Sequence, residues 1–360
     1  RMSAEAGQRL DRIREKLEKN AAETSLEPTT VTLSGEKPLS DVLAAIEEQT
    51  GNKIVDLRSE FGQDVGDPKL KVEFDKTPFW PALDQVLDDA DLAIYPYASE
   101  QGGLGITSRG ESRLPRHGSA IYSGAFRIEG TEFIAQRDLR DPMSHMLSLT
   151  LEAAWEPRLR PIVIIYPSNS VVALDDQGQP LTVTDSAGDM QFPINVDTKS
   201  VEVQVQFQSP ERNVRRIASL KGKLTAMLPG RTETFRFTSL DKTKRVDRKR
   251  AGVTVALESV RKNGAVWEIR VLMSFEKATG ALESHLSTGW VSTNFAALEG
   301  PNNQSIPYAG LETTRETETE AGMAYYFDVP SLKGHTFVYK TPTAIVSLPV
   351  EYELKDLDLP

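Results

Sequence analysis

"KPLSDVLAAIEEQTGNKIV", residues 37 to 55, decides the fold of this chain. Leu39, Val42, Leu43 and Ile46 recur at i, i+3, i+4 and i+7, which makes one apolar stripe on a helix. Gly51 follows the last turn, where a left-handed cap residue belongs, and "KIVDL" at 53–57 then reads as a strand. Almost the same shape returns at 77–95 as "TPFWPALDQVLDDADLAIY". There Thr77 is expected to cap the helix, with Pro78 in the first turn, where its missing N–H costs nothing. Phe79, Leu83, Val86 and Leu87 form the buried face, and "LAIYPY" at 92–97 is the following strand. "TVTL" at 30–33, "KLKVEF" at 69–74 and "GLGIT" at 103–107 complete the order strand, helix, strand, strand, helix, strand, strand. A small mixed sheet with both helices on one face would bury the two stripes together. Most of a helix's stability comes from packing such a stripe.

The segments "PLSDVLAAIEEQTGNKIV", "KLKVEFDKTPFWPALDQVLDDADLAIY" and "GLGIT" carry a resemblance. Residues 29–108 resemble the short N-terminal domain shared by secretins and TonB-dependent transducers, with Ala82-Leu83 and Val86-Leu87 keeping the rhythm of its second helix. The match covers under a quarter of the 360 residues and rests on core positions, which specify a fold better than a function. The resemblance implies protein contacts and side-by-side assembly into rings. It also implies a periplasmic or outer-membrane-associated location. Neither a secretin barrel nor a TonB plug follows in the sequence.

Beyond residue 118 the pattern is all-β. "VEVQVQF" at 201–207 alternates strictly, as do Trp267 to Phe275 and Val346 to Leu354. Sheets wet on one face, as in sandwiches, produce this pattern. "TAMLPGRTETFRFTSLD" at 225–241 echoes "TAIVSLPVEYELKDLDL" at 343–359, and "VVALDDQGQPL" at 171–181 echoes "FAALEGPNNQSI" at 295–306. Two sandwiches that end alike, or chance likeness among alternating strands, would account for this. The expected fold class is α+β. An amphipathic helix at 1–27, with Leu10, Ile13 and Leu17 on its stripe, packs on its own protein or docks a partner. The secretin-like domain follows at 28–110, then two Ig-like β-sandwiches at 111–241 and 242–360, with the boundary in the basic stretch 241–252.

The chain has no cysteine, which excludes thiol catalysis, disulfides and cysteine metal sites. Its net charge of −10 argues against general nucleic-acid binding, and no apolar run reaches the length of a membrane span. The sequence opens on Arg1-Met2 without a signal segment, so the natural start is expected upstream.

Chemical signatures are sparse. His117, His145, His285 and His335 show no metal or triad spacing, and no Gly-x-Ser-x-Gly elbow occurs. "LDDQGQP" at 174–180 has two carboxylates and a glycine but lacks the rest of a calcium loop, so it reads as a hairpin. The acids of "LDDADL" at 87–92 read as solvent-facing, and "GGLG" at 102–105 as a turn rather than a phosphate loop. Trp155 and Trp290 read as core residues, with a carbohydrate platform as the alternative. Lys242, Lys244, Arg245, Arg248, Lys249 and Arg250 form a basic run that is either a linker with self-contacts or an anion or partner contact. No catalytic residue, cofactor or metal is expected. The function expected is a non-enzymatic envelope protein that self-associates or docks partners. A glycan-binding module and a β-sandwich hydrolase are the alternatives. The first requires exposed aromatic side chains, and the second requires converging carboxylates or a histidine dyad, neither of which the sequence shows.

Overall fold

The computed structural model describes residues 13, 16, 17, 20, 21, 24 and 26–360, except 96, 98–102, 111–113, 115, 117, 118, 142–144, 185–187, 196, 197, 243, 251, 252, 276–287, 303, 318 and 319. The described fold is mostly β. By their contacts the residues fall into two compact units. The N-terminal unit holds Glu23–Arg160, Ile164–Ala226 and Leu348–Pro360, and the C-terminal unit is built on Met227–Ser347 with Pro161–Val163.

The N-terminal unit begins with β1 (Thr30–Pro38), α1 (Leu39–Thr50), β2 (Ile54–Asp56), β3 (Lys69–Pro78), α2 (Phe79–Asp89), β4 (Leu92–Ile94) and β5 (Leu104–Ser108), in the order read from the sequence. The strands make two sheets rather than the single mixed one expected. β1 pairs antiparallel with β3, while β2 runs parallel to β5 and β4 antiparallel to it. Both helical stripes enter one core, where Val42 and Ile46 meet Phe79, Leu83 and Val86 over Val72, Phe74 and Ile106. Each such side chain contributes roughly 1.5–3 kcal/mol when fully buried.

Both helices start one residue after a proline, so Thr77 does not cap α2. Backbone carbonyls replace the expected side-chain cap. Leu39 N donates to Pro68 O and Phe79 N to Thr29 O, each within 2.9 Å. Asp67 adds a carboxylate at the start of α1, accepting from Ser40 N and Oγ at 2.8 Å. These bonds hold its pKa below the ordinary value, the backbone bond contributing most. Gly51 closes α1 at φ 69°, as the sequence predicts.

The same unit continues with β6 (Ile121–Ser123), β7 (Phe126–Arg137), β8 (His145–Trp155), β9 (Val163–Pro167), β10 (Val172–Asp175), β11 (Pro180–Leu181), β12 (Asp189–Pro193), β13 (Ser200–Gln208) and the first half of β14 (Arg216–Phe237). One sheet runs β13-β8-β7-β6; in the other, β10 lies between β11 and β14. The two share a core that includes Phe126, Leu149, Val205 and Phe207 from the first sheet with Tyr166, Leu220 and Leu224 from the second. This is compatible with sandwich packing.

The C-terminal unit adds β15 (Val246–Arg250), β16 (Val253–Asn263), β17 (Val266–Phe275), β18 (Phe295–Glu299), β19 (Ser305–Pro307), β20 (Gly310–Glu316), β21 (Glu320–Phe327) and part of β22 (Thr336–Asp358). Its first sheet runs β15-β16-β17-β21-β20. Within this unit Tyr325, Phe337 and Tyr339 are fully buried and pack against one another, with centroids 5.9 to 6.4 Å apart.

The sequence echoes fall on equivalent strands. The runs β13-β8-β7-β6 and β21-β17-β16-β15 correspond strand for strand. Each has a register shift at the same place in its second strand, between Gly130 and Glu132 in β7 and between Leu257 and Ser259 in β16. The hairpins β10-β11 and β18-β19 then join the long strands β14 and β22, which carry the other pair of echoes. The stretch read as a linker, 241–252, is instead a 3₁₀ turn at Leu240–Lys242 followed by β15, an edge strand inside one unit. A solvent-exposed edge strand needs no apolar alternation, and all five β15 residues are exposed, so the sequence carried no strand signal. At the N-terminus residues 13, 16, 17, 20, 21 and 24 are helical, but Ile13 and Leu17 are exposed, not packed on the protein; Leu10 lies outside the described residues.

One buried group ties β8 to the strands before it. Glu156, whose side chain has no exposed surface, accepts from Thr29 N at 2.9 Å, Thr29 Oγ1 at 2.8 Å, Asn52 Nδ2 at 3.0 Å and Arg158 Nε at 2.6 Å. Replacing Glu156 by alanine strands those donors, and the expected loss is about 3–5 kcal/mol by urea titration. Glu156→Gln keeps an acceptor and should lose less. Equal, small losses for both would show that the bonds do not carry the junction.

Candidate functional site

A cleft of about 480 Å³ lies in the N-terminal unit. α2 supplies Asp84, Leu87 and Asp88 on one side, and β4 adds Leu92, Ala93 and Ile94. The opposing polar face of the β6–β8 and β13 sheet supplies Arg127, Glu129, Glu152 and Glu202, and the segment after β5 adds Arg109 and Arg116. A volume of this size suits a small ligand.

Most of these charges are committed to one another. The buried Arg127 donates Nε to Asp84 Oδ2 at 2.9 Å and Nη1 to Glu129 Oε2 at 2.7 Å. Tyr122 Oη donates to Asp84 Oδ2 at 2.7 Å. Burial, and then the nearby Asp84 charge, pushes the Tyr122 hydroxyl pKa up. Arg116 pairs with Glu129, and Arg109 with Asp88. The Asp88 carboxylate is therefore not solvent-facing, as "LDDADL" suggested, but also accepts from Arg116 N at 2.9 Å. Burying a charge costs less when each partner is bonded in this way.

Glu152 is the exception. It lies directly opposite Glu129 on β7 and Glu202 on β13, which makes a row of three glutamates across adjacent strands. Desolvation raises its pKa, Arg127 opposes that, and Glu202 adds to it. No hydrogen bond to its carboxylate is seen among the described residues. The equivalent row of the second repeat, one step before its register shift, is Ala256–Leu272–Gly322. The fold therefore does not demand carboxylates at this row.

Neither described histidine, His145 nor His335, lines the cleft. His117, His285 and the side chain of Trp290 lie outside the described residues. Trp155 is fully buried beside Phe126, as a core residue. "DDQGQP" is a hairpin whose Asp175 Oδ1 accepts from Gln177 N and Gln179 N. Among the described residues, no group of three or more histidines or acids is placed to hold a metal ion.

The basic run is placed by β15. Arg248 lies over the Phe237 ring at 5.3 Å and Arg250 over Phe235 at 5.8 Å. Arg250 also bonds Glu233, and Arg245 bonds Asp247. Lys244 and Lys249 are exposed beside them, and the side chain of Lys242 lies outside the described residues. No motif announces the cleft. Arg127 and Glu129 alternate as solvent-facing residues would, and only Asp84, set between the apolar Leu83 and Leu87, breaks a stripe.

The class of protein defined here is a mostly-β chain with two topologically matched β repeats behind an α+β region. No protein-family model matches it, and comparison with curated proteins finds no match. Among the described residues no helix is long and apolar enough to cross a membrane.

The raised Glu152 pKa makes a pH prediction. The folded chain retains a proton that the unfolded chain releases, so stability falls as pH rises from the ordinary carboxylate range through the folded value. Glu152→Gln is expected to flatten this decline and to exceed the parent at neutral pH. Urea midpoints across that range test it; parallel curves would refute the assignment.

Proposed function

We propose that this chain is a non-catalytic assembly protein of a cell envelope, periplasmic or outer-membrane-associated. It docks partner proteins or further copies of itself through a secretin-like α+β region and sandwich-type repeats. The location and the docking role rest on the sequence resemblance. The self-association rests on one structural observation, the opposite charge of the two edges of the five-stranded sheet.

The β15 edge exposes Arg248, Lys249 and Arg250, with Lys244 just before it, while its one acid, Asp247, pairs with Arg245. The β20 edge exposes Glu312, Arg315 and Glu316, and Glu318 and Glu320 follow in sequence. Like edges repel and unlike edges attract, so charge favours head-to-tail contacts over two-fold ones. Head-to-tail contacts build rings or filaments. Light scattering and sedimentation velocity are expected to show salt-sensitive assembly, weakened by Lys244→Glu with Lys249→Glu and regained when Glu316→Lys is added. A chain that stays monomeric at its highest soluble concentration in low salt would end this reading.

A second reading, acid–base hydrolysis of a glycosidic bond, is favoured by Glu152. A carboxyl of raised pKa beside the exposed carboxylate of Glu202 is the pattern such chemistry uses. Turnover of nitrophenyl glycosides that disappears in Glu152→Gln would support it, and no turnover across a broad panel would remove it.

A further inference from the structure

A second hollow, of about 410 Å³, lies elsewhere in the N-terminal unit. Among the described residues its lining contains no charged side chain, although 26% of the chain is charged. Phe61, Tyr95 and Tyr97 form a run of rings, with centroids 5.1 and 5.3 Å apart and tilts of 46° and 67°. Phe61 is 47% exposed and Tyr97 71%. Contiguous exposed aromatic surface of this kind marks a binding site more often than chance.

The shelf is held from beneath. Tyr95 N donates to Gly105 O at 2.9 Å. Gly105 has no side chain, and a Cβ there would come within 3.2 Å of Tyr95 Cβ and 2.7 Å of Leu57 Cδ1. The loop carrying Phe61 and Gln63 is stapled by the buried Arg58, which bonds Asp56 Oδ2 at 2.6 Å and Gly66 O at 2.9 Å. Gln63 Oε1 accepts from Thr107 Oγ1 at 2.8 Å and Ser108 N at 3.0 Å. That fixes the amide and leaves its Nε2 without a partner among the described residues.

We infer that this shelf binds a neutral oligosaccharide. Its rings offer apolar faces, stepped by about the length of one sugar residue. The Gln63 amide and the tyrosine hydroxyls offer neutral donors and acceptors for sugar hydroxyls. A phosphate, a carboxylate or an amine would find no counter-charge among the described lining residues. A proline-rich segment would also use aromatic faces, but it has fewer groups to satisfy the amide. The inference is independent of the assembly reading.

The test is saturation-transfer NMR with the full chain, using cellotetraose, maltotetraose and tetra-N-acetylchitotetraose, with decaproline as the rival probe. At least one tetrasaccharide is expected to saturate, with little dependence on salt. Tyr97→Ala and Gln63→Ala, in chains whose thermal melts match the parent, are expected to weaken it about tenfold or more. Absence of binding at millimolar sugar, equal binding by both variants, or binding of decaproline alone would overturn the assignment.

Discussion

The N-terminal unit depends on the burial of the Glu156 carboxylate. Removing a carboxylate from water costs several kcal/mol, and the cost is offset only where its oxygens are bonded. Here the donors come from three places in the chain: Thr29 before β1, Asn52 after α1, and Arg158 just beyond Glu156. Asn52 is itself held, since its Oδ1 accepts from Arg158 N at 2.9 Å and its Nδ2 also reaches Thr29 Oγ1. The network fixes the α+β region against the end of β8. Trp80 Nε1 adds a bond to Ala125 O at 3.1 Å, and this seats α2 over the polar sheet face. The cleft exists because that seat is fixed. Its walls belong to α2 and β4, and its floor belongs to β7, β8 and β13.

How much of this was readable beforehand follows from the range of the forces. The two helices, the order of the first five strands and the alternating β13, β17 and β22 were legible, because apolar spacing reports burial locally. Gly51 was read correctly as the end of α1, but the N-cap of α2 was placed one residue early, at Thr77. Side-chain capping is a local rule, but here distant carbonyls, Pro68 O and Thr29 O, do the capping. The division of the five strands into two sheets is a long-range pairing choice that no local pattern encodes. β15 was misread because its side chains face solvent on an edge, where composition resembles a linker.

The candidate site was the least legible part. Arg127, Glu129, Glu152 and Glu202 look like the wet face of an ordinary strand, and only the spatial approach of α2 makes them one side of a cleft in which Arg127 and Glu129 are buried. The shelf was hidden for the same reason. Phe61 sits in a turn and Tyr95 and Tyr97 at a strand end, positions whose spacing says nothing about adjacency until β4 pairs with β5. Trp155, by contrast, was legible as a core residue and is fully buried.

The two matched repeats provide an internal control on which polar residues the fold requires. At equivalent register one repeat carries Glu129–Glu152–Glu202 and the other Ala256–Leu272–Gly322. Like charges directly opposite on neighbouring strands cost roughly 0.2–1 kcal/mol, and desolvation adds to that for Glu152. The apolar row carries no such penalty, so the topology by itself gives no reason for the charged one. Arg127 offsets part of the cost and is itself spent on Asp84 and Glu129. The carboxylate of Glu152 therefore remains short of counter-charge in a cleft with room for a ligand.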